Sequence, residues 1–160
     1  MKTIKLTKDK VAIVDDEDYE RVNAFKWQFL AASKNGDGYA CRDIWIAGGK
    51  GKHYSYKLHH FIMNSDNTCV IDHINRDKLD NRKLNLRFAT DAQNNYNVGL
   101  KSNNKSGYNG VYYDPKSNKW IAQILHKYLG GYNTKEDAAL EYNKKAKQLF
   151  GEFAYLNTIL

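Results

Sequence analysis

Ile71-Asp-His-Ile-Asn-Arg-Asp-Lys-Leu-Asp-Asn-Arg-Lys-Leu-Asn-Leu-Arg-Phe-Ala-Thr-Asp-Ala-Gln-Asn-Asn95 is the densest polar segment of the chain. An acid and an imidazole adjoin at Asp72-His73, and amides recur at Asn81, Asn85, Asn94 and Asn95. Neighbouring side chains on a β-strand point to opposite faces. Adjacent positions therefore suit a metal ligand and a base acting from different sides of one reacting group. Carboxylate and amide oxygens are hard donors that fit Mg2+ or Mn2+. Zinc favours cysteine or several histidines, and His73 is the one histidine in this segment, so zinc is not expected. Cys41 and Cys69 are too few for a disulfide framework or a four-cysteine zinc site.

The whole chain has 160 residues, a formal net charge of +7, 42% hydrophobic residues and 13% aromatics. That supports one ordinary domain or two small ones and excludes fibrous and low-complexity classes. No run approaches the ~18 apolar residues of a membrane helix, and the lysine-rich N-terminus lacks the apolar core of a signal peptide. An intracellular protein with an anionic partner is expected. The charge is uneven. Asp9, Asp15, Asp16, Glu17, Asp18 and Glu20 make the start acidic, whereas Lys101, Lys105, Lys116, Lys119 and Lys127 face only Asp114 between residues 101 and 130. The cationic surface is expected in the middle of the chain and just after it.

Residues 3–14 alternate and read as one or two short strands. Tyr19, Val22, Phe25 and Phe29 follow at helical spacing and predict a short amphipathic helix. Asn35-Gly-Asp-Gly38 and Gly48-Gly-Lys-Gly51 are turn signals around a strand at 39–46, with a second alternating run at Tyr54, Tyr56 and Leu58; a hairpin is expected. Residues 98–105 have a linker composition. Beyond them come three short β-type runs at 110–113, 119–125 and 127–130. A helix capped by Thr134 and ended by Gly151 follows, with Ala139, Tyr142, Ala146 and Leu149 as its apolar stripe.

Ile71-Asp-His-Ile-Asn75, Leu79-Asp-Asn-Arg82, Asn85-Leu-Arg87 and Gln93-Asn-Asn95 together resemble the HNH nuclease signature, in the phage and intron homing form that ends in Asn. Tyr56-Lys-Leu-His-His-Phe-Ile-Met63 is similar to the family's lead-in. The resemblance covers residues 1–97 and implies a ββα-metal core at 56–97. It implies His73 as general base, Asp72 and Asn94 (in preference to Asn95) as ligands of one Mg2+ or Mn2+, and Asn85 as the residue that orients the His-bearing loop. Arg82 and Arg87 are candidates for flanking phosphates. His59 and His60 are read as packing or substrate contacts; the family commonly has Arg at the latter position.

Residues 106–160 resemble the plant ethylene-response-factor (Apetala-two) DNA-binding domain, through Ser106-Gly-Tyr-Asn-Gly-Val111, Lys119-Trp-Ile-Ala122, Tyr128-Leu-Gly-Gly-Tyr132 and the helix from Thr134. That domain docks its sheet in the major groove. The resemblance places Tyr112, Gln123, Leu125 and Tyr128 on the outward face, with Lys119, His126 and Lys127 near phosphates; Trp120, Ile124 and Leu129 are read as core.

The expected fold is α+β: a nuclease domain at 1–97, a linker at 98–105, and a three-stranded antiparallel sheet on one helix at 106–160. The expected activity is metal-dependent, homing-type nicking of double-stranded DNA by a phage protein in the bacterial cytoplasm, acting as a monomer or weak dimer. It leaves 5′-phosphate and 3′-hydroxyl ends. The rival reading is a DNA-binding regulator with an inactive nuclease fold; the presence of Asp72, His73, Asn85 and Asn94 together favours cleavage.

Overall fold

Alternating apolar residues near the N-terminus form an antiparallel ribbon of β1 (Lys2–Lys5) and β2 (Val11–Val14), burying Ile4, Ala12 and Val14. This computed structural model describes residues 1–32, 36–46, 51–66 and 68–159. The chain divides into two compact units, Met1–Asp91 and Ala92–Leu160. Both are mixed α/β structures with small antiparallel sheets.

In the first unit, α1 (Asp16–Asn23) begins with Asp16, Glu17 and Asp18, where the helix dipole favours anions. The helical spacing predicts a helix through Phe29, but α1 stops six residues earlier. The Trp27 indole donates to the Val22 carbonyl at 2.9 Å, and the Phe25 amide donates to the same oxygen at 3.2 Å. These bonds close the helix end, and Phe29 instead joins β3 (Gln28–Ala31). The sheet runs in the order β3, β4 (Gly38–Trp45), β5 (His53–Lys57), with antiparallel pairing throughout. Asn35 and the Gly48–Lys50 part of the two expected turns lie outside the described residues.

Lys57 ends β5 and caps α2 (Leu58–Ile62) without an intervening loop. A second ribbon, β6 (Val70–His73) with β7 (Leu86–Ala89), sets Asp72 opposite Arg87 and His73 opposite Leu86. One core gathers Ile4, Val14, Val22, Leu58, Ile71 and Leu86. The Arg21 guanidinium fastens α1 to the end of α2. It donates to Asp18 at 2.8 Å, to the Phe61 and Ile62 carbonyls at 3.1 and 2.8 Å, and to the Asn64 side chain at 3.1 Å.

The short helix α3 (Asp91–Tyr96) opens the second unit. Strands β8 (Val111–Asp114), β9 (Lys119–Ile124) and β10 (Lys127–Tyr132) form a sheet in the order β10-β9-β8, and α4 (Lys135–Phe150) packs on one face. The Thr134 hydroxyl accepts the Asp137 amide at 3.1 Å as the N-cap. Ala138, Ala139, Tyr142 and Ala146 are buried, but Leu149 of the expected stripe is 48% exposed. Gly110 has φ +71°, and a Cβ there would meet the Tyr142 ring at 2.1 Å, so glycine is required for both reasons. The stretch of linker-like composition begins inside this unit. Before it, Tyr96 stacks on Phe150 at 3.9 Å and accepts the Tyr155 amide; within it, the Asn104 side chain donates to the Tyr108 carbonyl. No helix among the described residues is long and apolar enough to cross a membrane.

Replacing Arg21 strips a buried carboxylate and two helix-end carbonyls of their donor. Arg21→Met is expected to lower unfolding stability by about 2–3 kcal/mol, read as an earlier urea midpoint.

Candidate active site

Strand β6 ends in Asp72 and His73, which are 5% and 6% exposed. The loop after it doubles back to a parallel bridge with β2: the Ile13 amide donates to the Leu79 carbonyl, and the Asn81 amide donates to the Ile13 carbonyl, both at 2.8 Å. Asn85 joins the two sides of this loop. Its amide nitrogen donates to the Asp80 carbonyl at 2.8 Å and to Asn75 Oδ1 at 2.9 Å, while its Oδ1 accepts the Asn75 amide at 2.9 Å. Asn75 also donates to Asp80 Oδ2 at 2.8 Å. The Asp80 carboxyl is held below the usual carboxylate range by the Arg82 guanidinium, which donates to it at 2.7 and 2.6 Å.

His73 Nε2 faces Asn81 Oδ1 at 3.4 Å, and the Asn81 amide nitrogen donates to the Leu79 carbonyl at 3.0 Å. Burial lowers the His73 pKa; the Asn81 bond and the charges of Asp72, Asp77 and Asp80 oppose that shift. His59 packs edge-on against His73 with ring centres 5.0 Å apart, and its other neighbours are His60 and Tyr39. Burial first, then the positive charges of His73, His60 and Lys57, pushes His59 down to about 2. His60 is also lowered, chiefly by burial, and its Nδ1 lies 2.8 Å from the Ser65 hydroxyl. The three imidazoles thus form a buried group that resists protonation.

A family model described as HNH endonuclease matches residues 64–96, the span that holds Asp72, His73, Asn85 and Asn94. An uncharacterized HNH endonuclease of Acanthamoeba polyphaga mimivirus is 35% identical over 126 residues, covering 72% of this chain and 67% of that relative. The chain belongs to the HNH endonuclease family. It is a nuclease. No solved structure matches it.

In this HNH endonuclease, both arginines expected at phosphates hold carboxylates. Arg87 Nε and Nη2 reach Asp72 Oδ2 at 2.9 and 2.7 Å across the β6-β7 ribbon, and its side chain is 12% exposed. Arg82, bound to Asp80, is 40% exposed. Asn94 and Asn95 are exposed on α3, and from Ala92 onward that helix belongs to the second unit.

In the second unit, register places Tyr112 opposite Ile121 and Tyr128 opposite Gln123, so these four share one face of the sheet. Tyr112 and Tyr128 are 48% and 68% exposed, and Ile121 is buried among them. Leu125 and His126 form the β9-β10 turn with φ of +46° and +62°. Lys127 is exposed, and Lys119 donates to Asn133. A cavity of about 600 Å³ includes Tyr112, Gln123, Leu125 and His126 in its lining. Ile124 is buried, and Trp120 and Leu129 pack against the core as expected.

The sequence reading overlooked Tyr39 and Lys57, and it separated His59 from His73. Tyr39 lies 6.3 Å from His73, ring centre to ring centre. Only the Lys57-Leu-His-His60 lead-in hinted at this grouping, because α2 brings it beside β6.

Two outcomes test this geometry. Arg87→Met is expected to cost about 3 kcal/mol by leaving Asp72 buried without its guanidinium. Adding Asp72→Asn should recover part of that loss in a double-mutant denaturation cycle. Separately, His59 is neutral when folded and titrates at 6.5 when unfolded. Its contribution is complete above that pH and is lost as pH falls toward the folded value, because the unfolded chain takes up the proton. Stability should therefore drop between pH 6.5 and 5. His59→Gln should reduce the slope by about 1 kcal/mol per pH unit over that window, measured by urea denaturation.

Proposed function

We infer that this nuclease is a divalent-cation-dependent DNA endonuclease of homing type that nicks one strand at a time. The carrying observation is the pair on β6: a buried imidazole biased toward its neutral form, next to a carboxylate held by a cation. Asn85 uses its amide on both sides of the loop that follows, which supports an orienting role rather than a reactive one.

The donor set fits a hard cation. The set the HNH resemblance names is one carboxylate, Asp72, and one amide oxygen, Asn94; among the described residues no cluster of three or more His, Cys, Asp or Glu side chains forms. Such a set suits Mg2+ or Mn2+, which keep several waters. The same resemblance, rather than any contact between them, names Asp72 and Asn94 as the residues that would hold the ion. When bound, it supplies charge stabilisation at the scissile phosphate and the leaving 3′ oxygen.

The remaining chemistry belongs to the side chains. An acceptor opposite His73 Nε2 favours the Nε2–H tautomer, in which Nδ1 is the basic nitrogen of the ring. The neutral imidazole is the form a base requires. The new bond joins water oxygen to phosphorus as the bond to the 3′ oxygen breaks; that oxygen takes a proton from solvent, and the ends are 5′-phosphate and 3′-hydroxyl. A single His73 per chain limits one encounter to one strand.

Docking is assigned to the sheet of the second unit. Its shared face of Tyr112, Gln123 and Tyr128 supports major-groove contact, with Lys119, Leu125, His126 and Lys127 at the edge and turn. Resemblance to the ethylene-response-factor domain supports the same reading.

Supercoiled plasmid is expected to become open circles with Mg2+ and to stay intact in EDTA. His73→Ala should slow nicking about 100-fold or more; undiminished nicking overturns the assignment. For docking, Lys127→Gln should lower the slope of log affinity against log salt by about one. Tyr128→Ala with Gln123→Ala should weaken binding to the cognate site more than to bulk DNA, both read by fluorescence anisotropy.

A further inference from the structure

One face of the sheet β3-β4-β5 runs from buried residues near Cys41 to exposed ones at Asp43 and Trp45. Register puts Tyr39, Cys41, Asp43 and Trp45 of β4 on it, with Lys57, Ser55 and His53 of β5 alongside. At its inner end the Tyr39 ring stands beside both buried histidines, 5.4 Å from His59 and 6.3 Å from His73. Two ammonium groups from distant parts of the chain converge on that ring. Lys57 Nζ lies 4.7 Å from its centre and Lys78 Nζ 4.9 Å. Among the described residues Lys57 makes no ion pair, whereas Lys78 is held by Asp37 at 2.6 Å. The acid on the same face, Asp43, is already bound by Gln28 and Ser55 at 2.9 and 2.8 Å. A half-buried cation without a carboxylate, held over an aromatic ring next to a general base, is suited to an anion arriving from solvent.

We propose that Lys57 and Lys78, seated over Tyr39, form a phosphate clamp that grips the DNA backbone next to the phosphate at which His73 activates water. The clamp rests on the nuclease reading above. Tyr39 is the platform: its quadrupole restrains two flexible ammonium groups before DNA binds and lowers the ordering cost of contact. Asp37 occupies Lys78 in the free protein and yields it to phosphate. Lys57 and Lys78 are positioning residues through the phosphate they hold.

The test measures binding of the full chain to duplex DNA in EDTA, so cleavage does not enter. Anisotropy titrations from 50 to 300 mM NaCl give the slope of log affinity against log salt. Lys57→Gln and Lys78→Gln should each lower that slope by about one, and Lys57→Arg should restore it. Tyr39→Leu should weaken binding several-fold with both charges intact. Asp37→Asn, which frees Lys78, should tighten binding several-fold, a gain that damage to the fold does not produce. In Mg2+, Lys57→Gln should raise KM more than it lowers kcat. Thermal melts identify any variant that has lost its fold; if Lys57→Gln does, the Lys57→Arg and Asp37→Asn results decide. A wild-type slope and affinity in folded Lys57→Gln, or no gain in Asp37→Asn, overturns the clamp. Failure of the nuclease reading would look different: wild type would leave plasmid uncut in Mg2+ whatever the salt slopes.

Discussion

The site hangs on one side-chain amide. Asn85 donates twice and accepts once, and each bond ties the end of β6 to the returning loop at Asn75 or Asp80. Asn85 and Asp80 are buried, so a bond left unmade at either costs about 1–3 kcal/mol per group. A partly satisfied buried network is worse than none, which gives the cluster an all-or-nothing character. With Asn85 in place, Asp80 stays near Arg82 and Asn81 presents its oxygen toward His73. The imidazole is thereby located by bonds two residues removed from it.

The acidic start of the chain acquires a purpose in this setting. Asp15 accepts the Lys83 amide at 2.8 Å, Glu17 pairs with the Lys83 ammonium, and Asp18 lies 3.2 Å from the same ammonium. Lys83 sits two residues before Asn85. The negative residues of α1 therefore brace the turn that carries the orienting amide. A net charge of +7 hides this division, since acids brace the first unit while Lys57, without an ion pair among the described residues, stays available to an anion.

Local features were legible in the sequence; long-range ones were not. Thr134 and Gly151 marked the ends of α4 because capping is a property of a few neighbouring residues. The spacing of Asp72, His73 and Asn85 was readable for the same reason: turn and ribbon lie within one short segment. Phe29 was misread because its spacing from Phe25 fits a helix, and the bond that ends the helix comes from Trp27, whose indole reach is invisible to periodicity. Leu149 fits the apolar stripe by position yet is half exposed, a tertiary outcome that spacing does not encode. Tyr39 lies outside the motifs and Lys57 is an unmarked position of the lead-in; β4 pairing and the loopless β5-α2 junction, not spacing, bring them beside the histidines.

The bridge between Ile13 and the Asp80 loop bears on how such a site could be inherited or grafted. The segment 64–96 carries the recognisable chemistry, but one wall of its loop is backbone from β2, hydrogen-bonded on both sides of Ile13. Moved alone into another scaffold, the motif would keep its reactive side chains and lose the strand that shapes the turn between them. The smallest portable unit of this chemistry is therefore discontinuous in sequence, with the N-terminal ribbon as an obligate companion of the motif.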